Sequence, residues 1–323
     1  MSSAQVIVVG SYVQDQTWFV DRFPRPGETL RANRYNTGPG GKGFNQAVAC
    51  SRQGVPTAFI GALGEDTFAT YAKKFAVDEK LECRWQICGD QPTATAGITV
   101  NANAENQITL ILGANEHLDT DHVRAQDDLF ASANIMLIQL ENNLDALAAA
   151  LDVAEKHHLT RVFNPAPVHK DLDAAMLRHA DIITPNETEF SLLLERFAGE
   201  IVDPDALAST SADTMHTLAR KLGVDTVVVT LGASGCFVSH GADRRGDPSA
   251  FYRIPGESVK AVDSTGAGDA FTGTLVAGLS RFAGKPFIFA VIHANRAAAM
   301  STEFVGAASA MQSFDVVTRR FSA

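Results

Sequence analysis

The sequence predicts an α/β fold: a mostly parallel sheet flanked by helices on both faces, with a small separate β-sheet set apart as a lid. Three observations carry this reading. From residue 134 onward, short strand-like apolar runs alternate with segments of helical period. Residues 96–112 break that rhythm with two β-rich runs joined by a short polar stretch. Glycine- or acid-bearing turns recur where strand-like runs end, which is where such sheets bind ligands.

In chain order, residues 6–10 read as a buried first strand ending in Gly10-Ser11. Residues 12–38 are less regular, and the breaker cluster Pro24-Arg25-Pro26-Gly27 divides short strand-like pieces. After Gly38-Pro39-Gly40-Gly41-Lys42-Gly43, a helix is expected over 44–53, closed by Gly54. A strand follows at 57–61, and a helix begins at 69–75. Residues 97–101 and 107–112 read as a hairpin that joins 19–35 in the small sheet. Strands are then expected at 135–140, 161–163, 182–184, 227–231 and 236–239. Helices are expected at 144–157, 172–179, 188–197, 214–222, 270–282 and 286–300, with 204–209 a loop.

Composition excludes several function classes. The 323 residues allow one large α/β domain or two ordinary ones, and an apolar fraction of 46% is enough for a full core. No apolar run approaches the roughly 20 residues that span a bilayer. Residues 1–5 carry no basic segment, so no secretory leader is expected and the chain reads as cytoplasmic. Cys50, Cys83, Cys88 and Cys236 lack metal-type spacing and suit a reducing compartment. The nine histidines form no zinc-type set. A net charge of −10 argues against nucleic acid as a partner, but not against nucleotides, which local backbone dipoles can hold.

The stretch Val262-Asp263-Ser264-Thr265-Gly266-Ala267-Gly268-Asp269-Ala270 reads as a strand end, a glycine turn and a helix start. Amides at such a turn converge on a hollow that suits a phosphate. Asp269 stands at its rim, placed to take a proton from an attacking hydroxyl; an N-cap aspartate would give the same letters. Gly40-Gly41-Lys42-Gly43-Phe44-Asn45-Gln46 is no P-loop, because Asn36 and Gly43 stand where Walker A needs Gly and Ser or Thr. Its glycines permit close approach to a ligand, and Lys42 and Asn45 offer donors; a polar turn into a helix reads equally well. Gln139-Leu140-Glu141 puts an acid either at a ligand crevice or on a helix N-terminus. Asn186 and Glu189 share a face of a first helical turn, as ligands for Mg²⁺ carried by a nucleotide or as a capping box. Thr230-Leu231-Gly232-Ala233-Ser234-Gly235 suits phosphates or a plain hairpin.

Taken in order, these turns resemble the PfkB carbohydrate-kinase family from Val6 to about Ala310. The most specific marks are Gly-Gly-Lys-Gly-x-Asn-Gln-Ala at 40–47, Asn-Pro-Ala-Pro at 164–167, Thr-Pro-Asn-Glu-Thr-Glu at 184–189 and Gly-Ala-Gly-Asp at 266–269. The resemblance implies a Rossmann-like α/β domain of residues 1–12, 39–95 and 114–323, with a β lid of residues 13–38 and 96–113. It implies an ATP-dependent sugar kinase acting on a primary hydroxyl, closest to the family's ribose kinases, which make ribose 5-phosphate from D-ribose. A nucleoside or another sugar is the alternative substrate. By position, Asp269 is the expected base, with Gly266, Ala267 and Gly268 as anion hole. Asp15, Gly41, Lys42, Asn45, Glu141 and Asp269 are expected to hold the sugar. Asn186, Thr230, Gly232, Gly235, Gly268 and Asn295 are expected along ATP, with Asn186 and Glu189 organising Mg²⁺ through water. Asp263, Thr265, Ser301, Phe304 and Gly306 match a monovalent-cation site, expected to take K⁺. A homodimer through the lid is also implied.

Three positions depart from the family pattern. Val13 replaces the Asn of Gly-Ser-x-Asn-x-Asp, Phe44 replaces a small residue and could stack on a base, and Ala310 replaces a Ser that caps the cation loop, with Ser309 one short. The first two bear on the sugar, the third on potassium dependence.

Overall fold

The computed structural model describes residues 5–103 and 105–321. The first half holds β1 (Val6–Val9), β2 (Val13–Phe19), β3 (Arg34–Gly40), α1 (Lys42–Arg52), β4 (Thr57–Leu63), α2 (Thr67–Asp78), β5 (Glu82–Ile87), β6 (Thr95–Val100) and β7 (Asn106–Ile111). The middle holds α3 (Thr120–Arg124), α4 (Asp127–Ser132), β8 (Ile135–Ile138), α5 (Leu144–Lys156), β9 (Thr160–Phe163), α6 (Ala174–Arg178), β10 (Ile182–Ile183) and α7 (Glu187–Ala198). It ends with α8 (Ala212–Lys221), β11 (Thr226–Thr230), β12 (Cys236–His240), β13 (Phe251–Ile254), α9 (Ala267–Arg281), α10 (Ile288–Ser301) and α11 (Phe314–Phe321).

Nine strands form one sheet in the order β13-β12-β11-β10-β9-β8-β1-β4-β5. Its pairs are parallel except β11–β12 and β12–β13. The two faces of β1 show how the core is divided. Val6 and Val8 pack with α1, α9 and α10, while Ile7 and Val9 pack with α5 and α7 on the other face. Such two-sided burial explains why these strands read as continuous apolar runs. From β1 the chain order runs one way to β4 and β5 and the other way to β8 through β11. The switch point therefore lies between β1 and β8, and a crevice opens beyond their C-terminal ends.

The other four strands form a separate sheet, β3-β2-β6-β7. Only Gly10, Ser11 and Tyr12 lie between β1 and β2, so this sheet springs from the carboxyl edge of the main one. On β2, alternation puts Val13, Asp15 and Thr17 on one face. Val13 packs there with Ala94 and Ala96.

Some elements escaped the sequence reading. β5 is a half-exposed edge strand in which charged and apolar residues mix, and β13 carries Arg253 amid apolar neighbours. The helices α3 and α4 have only five and six residues, too short to show a period. The helix expected at 44–53 starts earlier, at Lys42, directly after Gly41. Among the described residues, no helix is long and apolar enough to cross a membrane.

Candidate active site

The crevice is assembled from strand ends. At its floor, Ser11 Oγ, just past β1, donates to Glu141 Oε2 at 2.6 Å. The same oxygen accepts the Lys42 backbone N–H at 2.9 Å, so the acid after β8 fixes the start of α1. Gly41, just before that helix, sits at φ +86°, and a Cβ there would lie 2.7 Å from the Val13 nitrogen. Glycine therefore lets α1 begin against the turn between the two sheets.

Inside the crevice, Asp269 sits on the first turn of α9 and is 7% exposed. Its Oδ2 accepts from Asn45 Nδ2 at 2.9 Å and its Oδ1 from Gln46 Nε2 at 2.8 Å. Burial pushes this carboxyl above the usual aspartate range, against the pull of Lys42 and the two amide donors. Burial works against the Lys42 ammonium too, but Asp269, Glu141 and Glu189 together hold it above the ordinary lysine range. Asn45 Oδ1 is buried and finds no donor among the described residues.

Gly266 caps α9 at φ +75°, where a left-handed residue turns the chain into the helix. The Ala267 N–H already donates to the Ser264 carbonyl at 3.2 Å, so this conformation withdraws it from the expected anion hole. The Gly266 and Gly268 amides donate to nothing among the described residues.

Asn186 and Glu189 form a capping box. Asn186 Oδ1 accepts the Glu189 N–H at 2.8 Å, and Glu189 Oε2 accepts the Asn186 N–H at 2.9 Å. Glu189 is nevertheless buried at the crevice, and burial holds its carboxyl above the usual range. A cavity of about 160 Å³ brings together Lys42, Asn164, Ala166, Thr184, Asn186, Glu189, Thr230, Ser264 and the turn from Gly266 to Asp269. A larger cavity, about 330 Å³, lies at the opposite sheet edge beside Asn134 and Thr160, away from all of these groups.

Residues 3–313 match the pfkB family carbohydrate kinase profile. The chain belongs to this family. It is an ATP-dependent carbohydrate kinase. The chain is 37% identical over 305 residues to the ribokinase of Haemophilus influenzae, covering 94% of each. It is 32% identical over 280 residues to the deoxyribokinase of Salmonella typhi, covering 83% of each. The solved ribokinase of Thermotoga maritima superposes with a TM-score of 0.84 at 29% identity, over 99% of this chain and 100% of that one.

The remaining expected residues of the kinase are spread over the small sheet, the turn after β11, α10 and the loops flanking α9 and α10. Asp15 stands on β2 with its carboxylate against Gly40, where a Cβ would lie 2.2 Å from Oδ2. Burial, then the charges of Glu141 and Asp269, push its pKa up to about 7. Beyond Thr230, Gly232 has φ +50° and Gly235 φ +92°, and β11 returns as the antiparallel β12, so the glycine turn is also a hairpin. Asn295 does not line the 160 Å³ cavity; its Nδ2 donates to the Pro255 carbonyl, in the segment that packs on Gly235. Asp263 ties two loops, accepting from the Thr265 N–H at 3.0 Å and the Gly306 N–H at 2.9 Å. Ser301 is buried near the end of α10, Phe304 is half-exposed, and Ala310 is buried without a hydroxyl.

Phe44 corrects an expectation. It is 0% exposed, with ring centroids 5.1 Å from Tyr12, 5.5 Å from Phe59 and 6.2 Å from Trp85. It fills the core under α1 and offers no face to a base. Four polar side chains of the site were not singled out from sequence: Ser11, Gln46, Gln139 and Asn164. Each lay beside or within a motif, but its partner is remote in the chain.

Proposed function

We propose that this kinase transfers the γ-phosphoryl group of ATP to the primary hydroxyl of D-ribose, with Asp269 as general base. The observation that carries the chemistry is the buried Asp269 carboxylate, held by two amide donors at the rim of the glycine turn. Likeness to ribokinases supports the sugar. Asp269 takes the hydroxyl proton as the sugar oxygen attacks the γ-phosphorus in line. Charge on the transferred group falls on the Gly266 and Gly268 amides and on Lys42. Asp15, Gly41, Lys42, Asn45 and Glu141 orient the sugar; Thr230, Gly232, Gly235 and Asn295 border the nucleotide.

Two cations fit this site. Asn186 and Glu189 would hold Mg²⁺ through water, a role suited to a buried carboxylate at the cavity whose charge Lys42 offsets only in part. When bound, Mg²⁺ neutralises charge on the phosphates. Asp263 and carbonyls near Thr265, Ser301, Phe304 and Gly306 offer the hard oxygens that suit K⁺. Equal rates in sodium-only and potassium-only buffers would remove K⁺ from the reading.

The four-stranded sheet acts as a lid that closes over the sugar and excludes water. The exposed Trp18, Tyr35, Ile108, Leu110 and Ile111 suit pairing with a second copy through that lid. A coupled ADP-release assay over ribose, 2-deoxyribose, hexoses and nucleosides tests the substrate. Ribose is expected to give the highest kcat/KM, and no ribose-dependent ADP release would overturn the proposal.

A second reading, 2-deoxyribose, rests on Val13. This buried apolar side chain shares a strand face with Asp15, and the Salmonella relative is a deoxyribokinase. A deoxy edge would meet Val13 without leaving a hydroxyl unpaired.

A further inference from the structure

The hydrogen bonds of Asp269 continue into the protein. Gln46 Nε2 donates to Asp269 Oδ1 at 2.8 Å and to Asn164 Oδ1 at 2.9 Å. Gln46 Oε1 accepts from Gln139 Nε2 at 2.6 Å, and Asn164 Nδ2 donates to the Thr184 carbonyl at 2.7 Å. All four side chains are buried. A carboxylate only accepts, whereas a glutamine amide donates at one end and accepts at the other. The end that Gln46 turns toward Asp269 therefore depends on what meets its far end. Gln139 meets it with a donor, at the cost of leaving its own Oε1 without a partner among the described residues. Asn164, held by Thr184, presents an acceptor on the near side.

We propose that Gln46 is a positioning residue whose amide is locked by Gln139 and Asn164 so that it always donates to Asp269 and keeps that carboxylate ionised. The relay spans three strand ends and α1, and neither Gln139 nor Asn164 contacts Asp269 through the hydrogen bonds described. This inference rests on the reading of Asp269 as general base.

The pH dependence of kcat tests it. Gln46→Leu removes the donor; Gln139→Glu puts an acceptor where the lock needs a donor. Both are expected to move the acidic limb upward by about one pH unit, a roughly tenfold loss of ionised base at a fixed pH below the limb. The loss of kcat should shrink as pH rises above the limb, and the KM for ATP should stay within about twofold. Gln139→Met, which neither donates nor competes, should shift the limb less than Gln139→Glu. A plateau lowered at every pH with the limb in place would mean a packing role and overturn the relay. If the variants do not fold, the wild-type protein supplies the test through its Gln46 side-chain NH₂ resonances. They should shift with the Asp269 titration and lose that response in Asp269→Asn; unresponsive resonances overturn the relay. The underlying reading fails separately: Asp269→Asn that keeps its turnover removes the base itself, whereas an inactive Asp269→Asn with an unmoved limb in Gln46→Leu removes only the relay.

Discussion

The two sheets use strands of similar length but are held in different ways. Every residue of β1 and β8 is buried, whereas every residue of β7 is exposed. The large sheet is fixed from both faces, and its strand ends cannot wander. The small one is fixed by its own ladder and by local bonds such as Gln14 Nε2 donating to Thr37 Oγ1 at 2.8 Å. The chemistry-bearing groups divide in the same way. Asp269, Lys42, Asn45 and Glu141 stand on or beside the rigid sheet, whereas Asp15 and Val13 belong to the looser one. The division suggests that rate resides in the first sheet and sugar choice in the second.

The largest effect expected is on the rigid side. Asp269→Asn keeps the shape but cannot take the proton, so kcat should fall by roughly 10²–10⁴-fold with sugar and ATP affinities little changed. Steady-state kinetics with binding calorimetry checks this, and substantial residual turnover would contradict it. On the looser side, Val13→Asn offers a partner to a hydroxyl. It should shift the kcat/KM ratio of ribose to 2-deoxyribose by about five- to 150-fold toward ribose, the equivalent of roughly 1–3 kcal/mol. An unchanged ratio means that Val13 does not face the sugar.

Charging the exposed strand sharpens the comparison further. Ile108→Lys with Leu110→Lys should turn a dimer into a monomer in light scattering and raise the sugar KM roughly tenfold, about one buried side chain's worth of free energy. Thermal unfolding of the main sheet should barely move. A monomeric wild-type protein would refute the lid-mediated dimer directly.

The smallest effect concerns Asp15. Its folded pKa, about 7, lies above its ordinary 3.8, so the native state binds this proton more tightly than the unfolded chain. Its contribution to stability is therefore present at low pH and declines as pH rises from about 3.8 to about 7. Asp15→Asn should melt higher than wild type at pH 8 but not at pH 4. The wild-type sugar KM should fall as the carboxylate ionises, and the variant's KM should stay flat; a parallel pH dependence in both would exclude Asp15 as the source.

The fold was legible wherever burial imposed a period, as in the strand–helix alternation after residue 134. It was illegible at the margins: β5 is only half-buried, so its pattern is mixed, and α3 and α4 end before a period can show. The glycine turns stood out because close approach and left-handed backbone require a particular residue, as at Gly41 and Gly266. Phe44 misled because its motif drew attention away from its helix. With Val48 four residues on, it forms the apolar face of α1, and both are buried in the same core. Gln46 and Gln139 show a different limit. A glutamine's role depends on its partners, and these lie 93 and 223 residues away. Asn186 and Glu189 did not force a choice: they make the capping box and still line the cavity.

The far end of α1 bears on the order in which the molecule is completed during synthesis. Arg52 donates to the carbonyls of Ser309 and Met311, and Gln53 to that of Gln312, across separations of 257 to 259 residues. The helix that carries Lys42, Asn45 and Gln46 is thus an early segment fastened by a very late one. Contacts so distant in sequence form only after the intervening chain has been made and folded. A nascent chain stopped before residue 309 can already contain every strand of the main sheet, yet it lacks the clasp that sets the helix bearing Lys42, Asn45 and Gln46.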